Sequence, residues 1–165
     1  MVRHVKYWPV LSCFLVALIL ETIPLPDAMQ LARPPFLTIA IIYWGMMWPD
    51  RIGILTAFFL GLLLDILHGT LLGQNALALS MVAYLTFRFH LQIRIFPVWQ
   101  LTGAAFALMS ASAFLQLWID GIAGNPSAGL ARWISVLVGT ALWPVLMGIM
   151  DRLRYIAERR NTSLT

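Results

Sequence analysis

The chain has 165 residues, 61% of them apolar and only 11% charged, with a formal net charge of +4. A soluble domain of this length cannot cover so much apolar surface, so the composition excludes one and makes lipid the solvent. The basic excess does not signal nucleic acid, because Lys and Arg sit at the ends of apolar runs and coat no single face. Backbone polar groups in lipid must pair internally, which leaves helices or a closed barrel. The apolar runs do not alternate with polar residues, which excludes the barrel. The expected fold is an all-α integral membrane protein, a single transmembrane domain over residues 1–165.

Apolar segments follow in chain order at roughly 8–25, 35–49, 52–68, 74–91, 98–119 and 131–150, predicting a six-transmembrane-helix bundle. The first holds the lone cysteine, Cys13, which can form no intrachain disulfide and reads as a small buried hydrophobe. Segments two and three are short for a full span, which needs ~17–25 residues. Trp48-Pro49-Asp50-Arg51 is almost the whole link between them, so they form an antiparallel hairpin. Pro144 lies inside the sixth segment and predicts a kink there.

Orientation follows from Lys and Arg placement. With the N-terminus inside, the inner side holds Arg3, Lys6, Arg51, Arg88, Arg94, Arg152, Arg154, Arg159 and Arg160, and the outer side holds Arg33 and Arg132. That bias predicts both termini in the cytoplasm, N-in and C-in. Trp8, Trp48 and Trp99 near inner ends, with Trp118 and Trp133 near outer ends, form two aromatic belts. Residues 151–165 read as a basic cytoplasmic tail. Its arginines, Arg152, Arg154, Arg159 and Arg160, are expected to anchor on anionic lipid at ~1 kcal/mol per basic side chain. A cytoplasmic protein partner is the alternative.

The third segment carries the informative anomaly. Asp65 lies inside it, and a carboxylate in hydrocarbon costs at least ~2.5–3.5 kcal/mol. Gly53, Ala57, Gly61 and Asp65 recur every four residues, a stripe of small side chains with the acid at its upper end. Such stripes let two helix backbones approach closely. Gly69 suits the left-handed position after a helix, and Gly73 opens the next. These residues, Gly53, Ala57, Gly61, Asp65, Gly69 and Gly73, form a candidate helix-packing or partner interface. Candidate ion-pair partners for Asp65 are Arg33, Arg132 and His68, the last at i+3 on the same helix.

Reactive constellations are missing from the pattern. Ser80 has no glycine neighbours to shape an oxyanion hole, and no two histidines stand at i and i+4 for a metal. No Walker motif or dinucleotide glycine pattern occurs, so no enzyme, metal or cofactor is expected. Glu21, Asp65 and Asp120 all lie toward the outer side, so paired carboxylates at one depth stay open. A transporter is the competing class, since an intramembrane acid is often an ion site. Against it, no clear broken-helix pair occurs at midplane.

The stretch Arg33–Leu85, RPPFLTIAIIYWGMMWPDRIGILTAFFLGLLLDILHGTLLGQNALALSMVAYL, carries a resemblance. Arg33-Pro34, Tyr43-Trp44, Pro49 with Arg51, Gly61 to Asp65, Gly69, Leu72-Gly73, Ala76-Leu77 and Ala83-Tyr84 follow in order, with Ile23 to Asp27 before and Leu142-Trp143-Pro144 after. Pro35-Phe36 departs from the usual polar residue and Trp. By these motifs the chain resembles the MreD family of rod shape-determining membrane proteins. The resemblance implies a non-enzymatic subunit of the cell-elongation machinery in a bacterial cell inner membrane. It would bind MreC directly and act with MreB, RodA and a class B penicillin-binding protein in lateral peptidoglycan synthesis, with homo-oligomers possible. The family's bundle also resembles the substrate-binding subunits of energy-coupling-factor transporters, a likeness of fold that carries no function. Their docking feature is missing here, because Ala17 is followed four residues on by Glu21. The alternative function is a small-solute, vitamin-like binding or transport subunit.

Overall fold

The structure is a computed structural model that describes residues 8–24, 26, 32–49, 52–124 and 129–162. The expectations placed on Arg3, Lys6, Asp50, Arg51, the Arg160 side chain and most of the 25–34 loop lie outside the described residues. The described helices are α1 (Trp8–Thr22), α2 (Phe36–Met47), α3 (Ile54–His68), α4 (Gln74–Ile95), α5 (Val98–Ile122) and α6 (Gly129–Thr162).

Their lengths divide them. By length and composition, α4, α5 and the Ala131–Ile156 part of α6 can each cross a membrane. Helices α1, α2 and α3 have 15, 12 and 15 residues, or ~18–22 Å at the helical rise. That falls short of a hydrocarbon core ~30 Å thick. Among the described residues, three long and three short apolar helices thus stand at the six predicted segments; the second and third were expected to be short, and α1 is short as well. The set fits a multi-pass membrane protein.

Helix α2 explains how a short helix is tolerated. Every residue from Leu37 to Met46 is buried, with α1, α4, α5 and α6 packed around it. A helix that is apolar on all sides belongs in the core, and FLTIAIIYWGMM has that character. Tyr43 and Trp44 meet edge to face with centroids 5.2 Å apart, and Trp44 packs on Trp48 at 5.0 Å. Around this axis the other helices bury one stripe each. On α1 the stripe is Val10, Cys13, Phe14 and Ala17, the spacing of one helical face. Its opposite face presents Leu11 and Leu15, each 60% exposed, as expected for a surface bathed in lipid or covered by another apolar helix.

The tightest backbone approach lies between α3 and α4. A Cβ placed on Gly61 would come 2.4 Å from Ala76 Cα and 2.6 Å from Ala76 N. Ala57, one turn earlier, is fully buried. The rest of the glycine set behaves differently from the packing stripe expected of it. A Cβ on Gly53, Gly69 or Gly73 would meet nothing within 4 Å. Gly69 and Gly73 matter instead for their backbone, with φ of 63° and 101° in the turn that joins α3 to α4.

Helix α6 runs on to Thr162. The stretch read as a tail is therefore a helical continuation over 151–162. Pro144 is accommodated inside it, and Trp143 beside it is 1% exposed.

The Gly61 contact makes a direct prediction. Gly61→Ala should lower unfolding stability by about 1–3 kcal/mol, because the added methyl meets backbone and no rotamer change relieves it. Gly53→Ala should stay within about 0.5 kcal/mol of the parent. Unfolding of both variants in detergent, followed by tryptophan fluorescence, measures the difference.

Candidate functional site

Asp65 sits one turn before the end of α3 and is 1% exposed. Gly69 ends the helix in the left-handed conformation, and its N–H donates to the Asp65 carbonyl. The five-residue turn then brings the start of α4 back over the Asp65 side chain. Gly73 and Asn75 donate their backbone N–H groups to the carboxylate at 2.8 and 2.9 Å, and Ala76 N lies at 3.4 Å. The Thr70 hydroxyl and the Asn75 side-chain amide each donate to Oδ1 at 2.9 Å.

The physics is that of a helix cap supplied from another helix. The first N–H groups of a helix have no intrahelical acceptor. A side chain at the N-cap position normally fills that need, but Gly73 occupies it and has none. Asp65 takes its place, and its negative charge meets the positive end of the α4 dipole. Hydrogen bonds to a charged group are worth ~1.5–3 kcal/mol each, enough together to offset burial of the acid.

The expected cation is therefore not what holds Asp65. Among the described residues it forms no ion pair. The three candidates are engaged elsewhere. Arg33 donates to the carbonyls of Glu21 and Ile23 at the end of α1. His68 lies 3.1 Å from the same Glu21 carbonyl through Nε2. Arg132 pairs with Asp120 at 2.5 Å. Fixed backbone amides outcompete a long flexible cation here because the turn delivers them with no side-chain entropy to lose.

These contacts close into a ring around one end of the bundle. Asp65 of α3 holds Asn75 of α4, whose side-chain oxygen accepts from Gln116 of α5 at 2.9 Å. Gln74 of α4 donates to Asp120 of α5 at 2.7 Å, and Asp120 holds Arg132 of α6. Ser135 of α6 donates to the Arg33 carbonyl, and Arg33 grips the end of α1. Glu21 of α1 accepts the N–H of Leu37 at 3.0 Å, capping α2, while its carbonyl meets His68 of α3. All of the helices are joined. Glu21, Gln74, Asn75, Gln116, Asp120 and Ser135 were not assigned to this role from sequence. The polar pair directly after Gly73, and Gln116 four residues before Asp120 on one helix face, were the available signals.

The opposite end carries a smaller cluster. The Tyr43 hydroxyl donates to Asp151 Oδ1 at 2.5 Å, tying α2 to α6. Arg154 lies 3.9 Å from Asp151 and 2.7 Å from the Met47 sulfur. Arg159 sits 4.8 Å over the Tyr155 ring. Of the arginines read as lipid anchors, Arg152 and Arg159 are exposed, while Arg154 is half-buried against Met47 and Asp151.

Asp65→Asn should cost ~2–4 kcal/mol of stability, because its amide would turn a donor toward the α4 donors. Asn75→Ala should cost ~1 kcal/mol, since the backbone N–H bond to Asp65 survives it. Thermal unfolding that ranks the two in the reverse order would refute the cap.

Residues 2–153 match the family model described as rod shape-determining protein MreD. A curated relative, rod shape-determining protein MreD of Haemophilus influenzae, is 28% identical over 158 residues, covering 92% of this chain and 94% of its own. No solved structure matches the chain, so the expected likeness to the substrate-binding subunits of energy-coupling-factor transporters gains no support. With the family pattern running through nearly all of the chain, including the whole of the ring, the protein belongs to the MreD family of rod shape-determining proteins.

Proposed function

We propose that the protein is a non-enzymatic subunit of the cell-elongation complex in the bacterial inner membrane. In this reading it binds MreC directly and biases lateral peptidoglycan synthesis toward wall-building states, with MreB, RodA and a class B penicillin-binding protein in the wider assembly. The observation that carries this is the family match over residues 2–153. The geometry of Asp65 supports it. An acid whose two oxygens face fixed amide and hydroxyl donors suits fastening better than ion relay.

The proposed topology is six crossings with both termini in the cytoplasm. It is supported by the arginine bias of the sequence, and by the grouping of Arg33 and Arg132 at the ring end while Arg154 joins the opposite cluster. The three short helices would cross with their ends held by protein groups. Residues 151–162 would then be a cytoplasmic helix, with Arg152 next to anionic lipid.

The Gly61 face is occupied by α4, so MreC must dock elsewhere. Apolar ridges are available on α3, where Leu55, Phe59 and Ile66 are exposed, and on α6, where Leu137, Val145 and Ile149 are exposed. The same ridges could serve a second copy of the chain. In a Cys13→Ser background, single cysteines along the two ridges should give cross-links to the MreC span from one ridge and not the other. Failure of every position on both ridges to capture MreC, in membranes where MreC is present, would count against direct binding.

A further inference from the structure

We propose that the outer leaflet of the bilayer is thinned where it meets the face formed by α1 and α3, a surface that fits lipid with thinner hydrocarbon than usual. The two helices touch, and at the ring end the Glu21 carbonyl meets His68 Nε2. Their outward sides are largely apolar, with Leu11, Leu15 and Ile19 exposed on α1 and Leu55, Phe59 and Ile66 exposed on α3. Each helix has 15 residues, or ~22 Å at the helical rise, against a hydrocarbon core ~30 Å thick. Tilt shortens that reach further. Helices α4 and α5 have 22 and 25 residues and reach ~33 and ~38 Å. The deficit therefore belongs to one side of the molecule.

The helix ends decide how the shortfall is met. A short span is accommodated by snorkelling of flanking residues, by thinning of the bilayer or by association with another chain. The sequence puts Lys6 before α1 and Arg51 before α3, and long cations reach headgroups from inside the core. The outer ends have no such reserve. Glu21 near the end of α1 caps Leu37 with its carboxylate, and its carbonyl meets Arg33 and His68. At the end of α3, Asp65 takes the N–H groups of Gly69 and Thr70 on its carbonyl and those of Gly73 and Asn75 on its carboxylate. The chain is thus fixed at that height. Leu71 and Leu72 are exposed in the turn, but the turn adds at most about one helical rise of ~5 Å before α4 begins. Glu21, Arg33, His68 and Thr70 border the partly open cavity beside it. Hydrocarbon laid over this end would cover charged and polar groups, at high cost, and thinning avoids that. A second transmembrane helix of ordinary length would overhang the same face, so lipid fits it better. The inference rests on the six-crossing reading with the ring outside, and not on MreC binding.

The test uses the full chain in nanodiscs of dimyristoleoyl-, dioleoyl- or dierucoyl-phosphatidylcholine, in order of increasing thickness. The unfolding midpoint, followed by tryptophan fluorescence, should be highest in the thinnest bilayer and fall by several degrees toward the thickest. In a Cys13→Ser background, the variants Leu72→Cys and Phe59→Cys are labelled with an NBD fluorophore and placed in the dioleoyl bilayer. The label at Leu72→Cys should be quenched more strongly by a headgroup nitroxide lipid than by a mid-chain nitroxide lipid, and the label at Phe59→Cys in the opposite order. A midpoint that is flat, or that peaks in a thicker bilayer, overturns the proposal. Stronger quenching of Leu72→Cys by the mid-chain lipid also overturns it, because the turn would then lie under hydrocarbon. Shielding of Leu72→Cys from both lipids overturns it in favour of a second copy on this face. Loss of mid-chain quenching at Phe59→Cys shows instead that α3 does not cross, and the six-crossing reading falls together with the proposal.

Discussion

A helix that begins away from water must find acceptors for its first N–H groups, and this bundle meets that demand with acids borrowed from other helices. Asp65 reaches from α3 to the start of α4, and Glu21 reaches from α1 to the start of α2. An acid in a strongly apolar helix looks costly when viewed alone. It becomes favourable once the unsatisfied amides of the next helix are counted with it. The arrangement also sets geometry. Asp65 can reach Gly73, Asn75 and Ala76 only if the two backbones lie close together just below it. Gly61, one turn earlier, provides that closeness by bringing α3 against the backbone of Ala76. The small residue and the acid therefore make one device, in which neither half works without the other.

The rest of the polar end builds on that device. Asp120 lies near the C-terminal end of α5, and Arg132 lies in the first turn of α6. Both stand at the end of a helix dipole that disfavours their charge. Their ion pair, with Gln74 as a third member, offsets this. Networks of this kind gain from being satisfied throughout and lose heavily when half made. Helix α2 then connects the two ends of the bundle. Its first turn takes the Glu21 carboxylate, and its last turns present Tyr43 to Asp151 and Met47 to Arg154. Twelve residues suffice because protein groups receive both ends.

Composition and periodicity made the helices legible, and the local signs at Gly61, Gly69 and Asp65 were legible too. The error over Asp65 has a physical source. A search for partners by opposite charge looks for Arg33, His68 or Arg132, whereas backbone amides carry no letter in the sequence. The clue lay nearby, in a glycine at each end of a five-residue turn followed directly by a helix. Glu21 to Leu37, Gln116 to Asn75 and Gln74 to Asp120 were illegible for another reason. Those pairs are brought together by packing of segments up to 46 residues apart, and one sequence holds no record of that. The length of α6 was partly legible. Asp151 with Arg154 and Tyr155 with Arg159 have helical spacing, but a run of arginines after an apolar segment reads more readily as a tail.

In lipid, apolar side chains gain little by choosing one apolar neighbour over another. Small-residue contacts permit close approach without dictating which helix approaches. Selection of neighbours must then come from groups that are costly to leave unpaired, and in this bundle those groups are gathered mainly in the ring, with the smaller Tyr43, Asp151 and Arg154 cluster at the opposite end. The consequence runs outward as well. Because the polar groups of α3 and α6 are used inward, their outer faces carry Leu55, Phe59, Ile66, Leu137, Val145 and Ile149 with no polar feature to orient a partner. A helix that docks there specifically has to be recognised by shape along the ridge, or at the bundle ends where the polar groups are. The polar end is thus the part of the molecule best able to orient a docking helix.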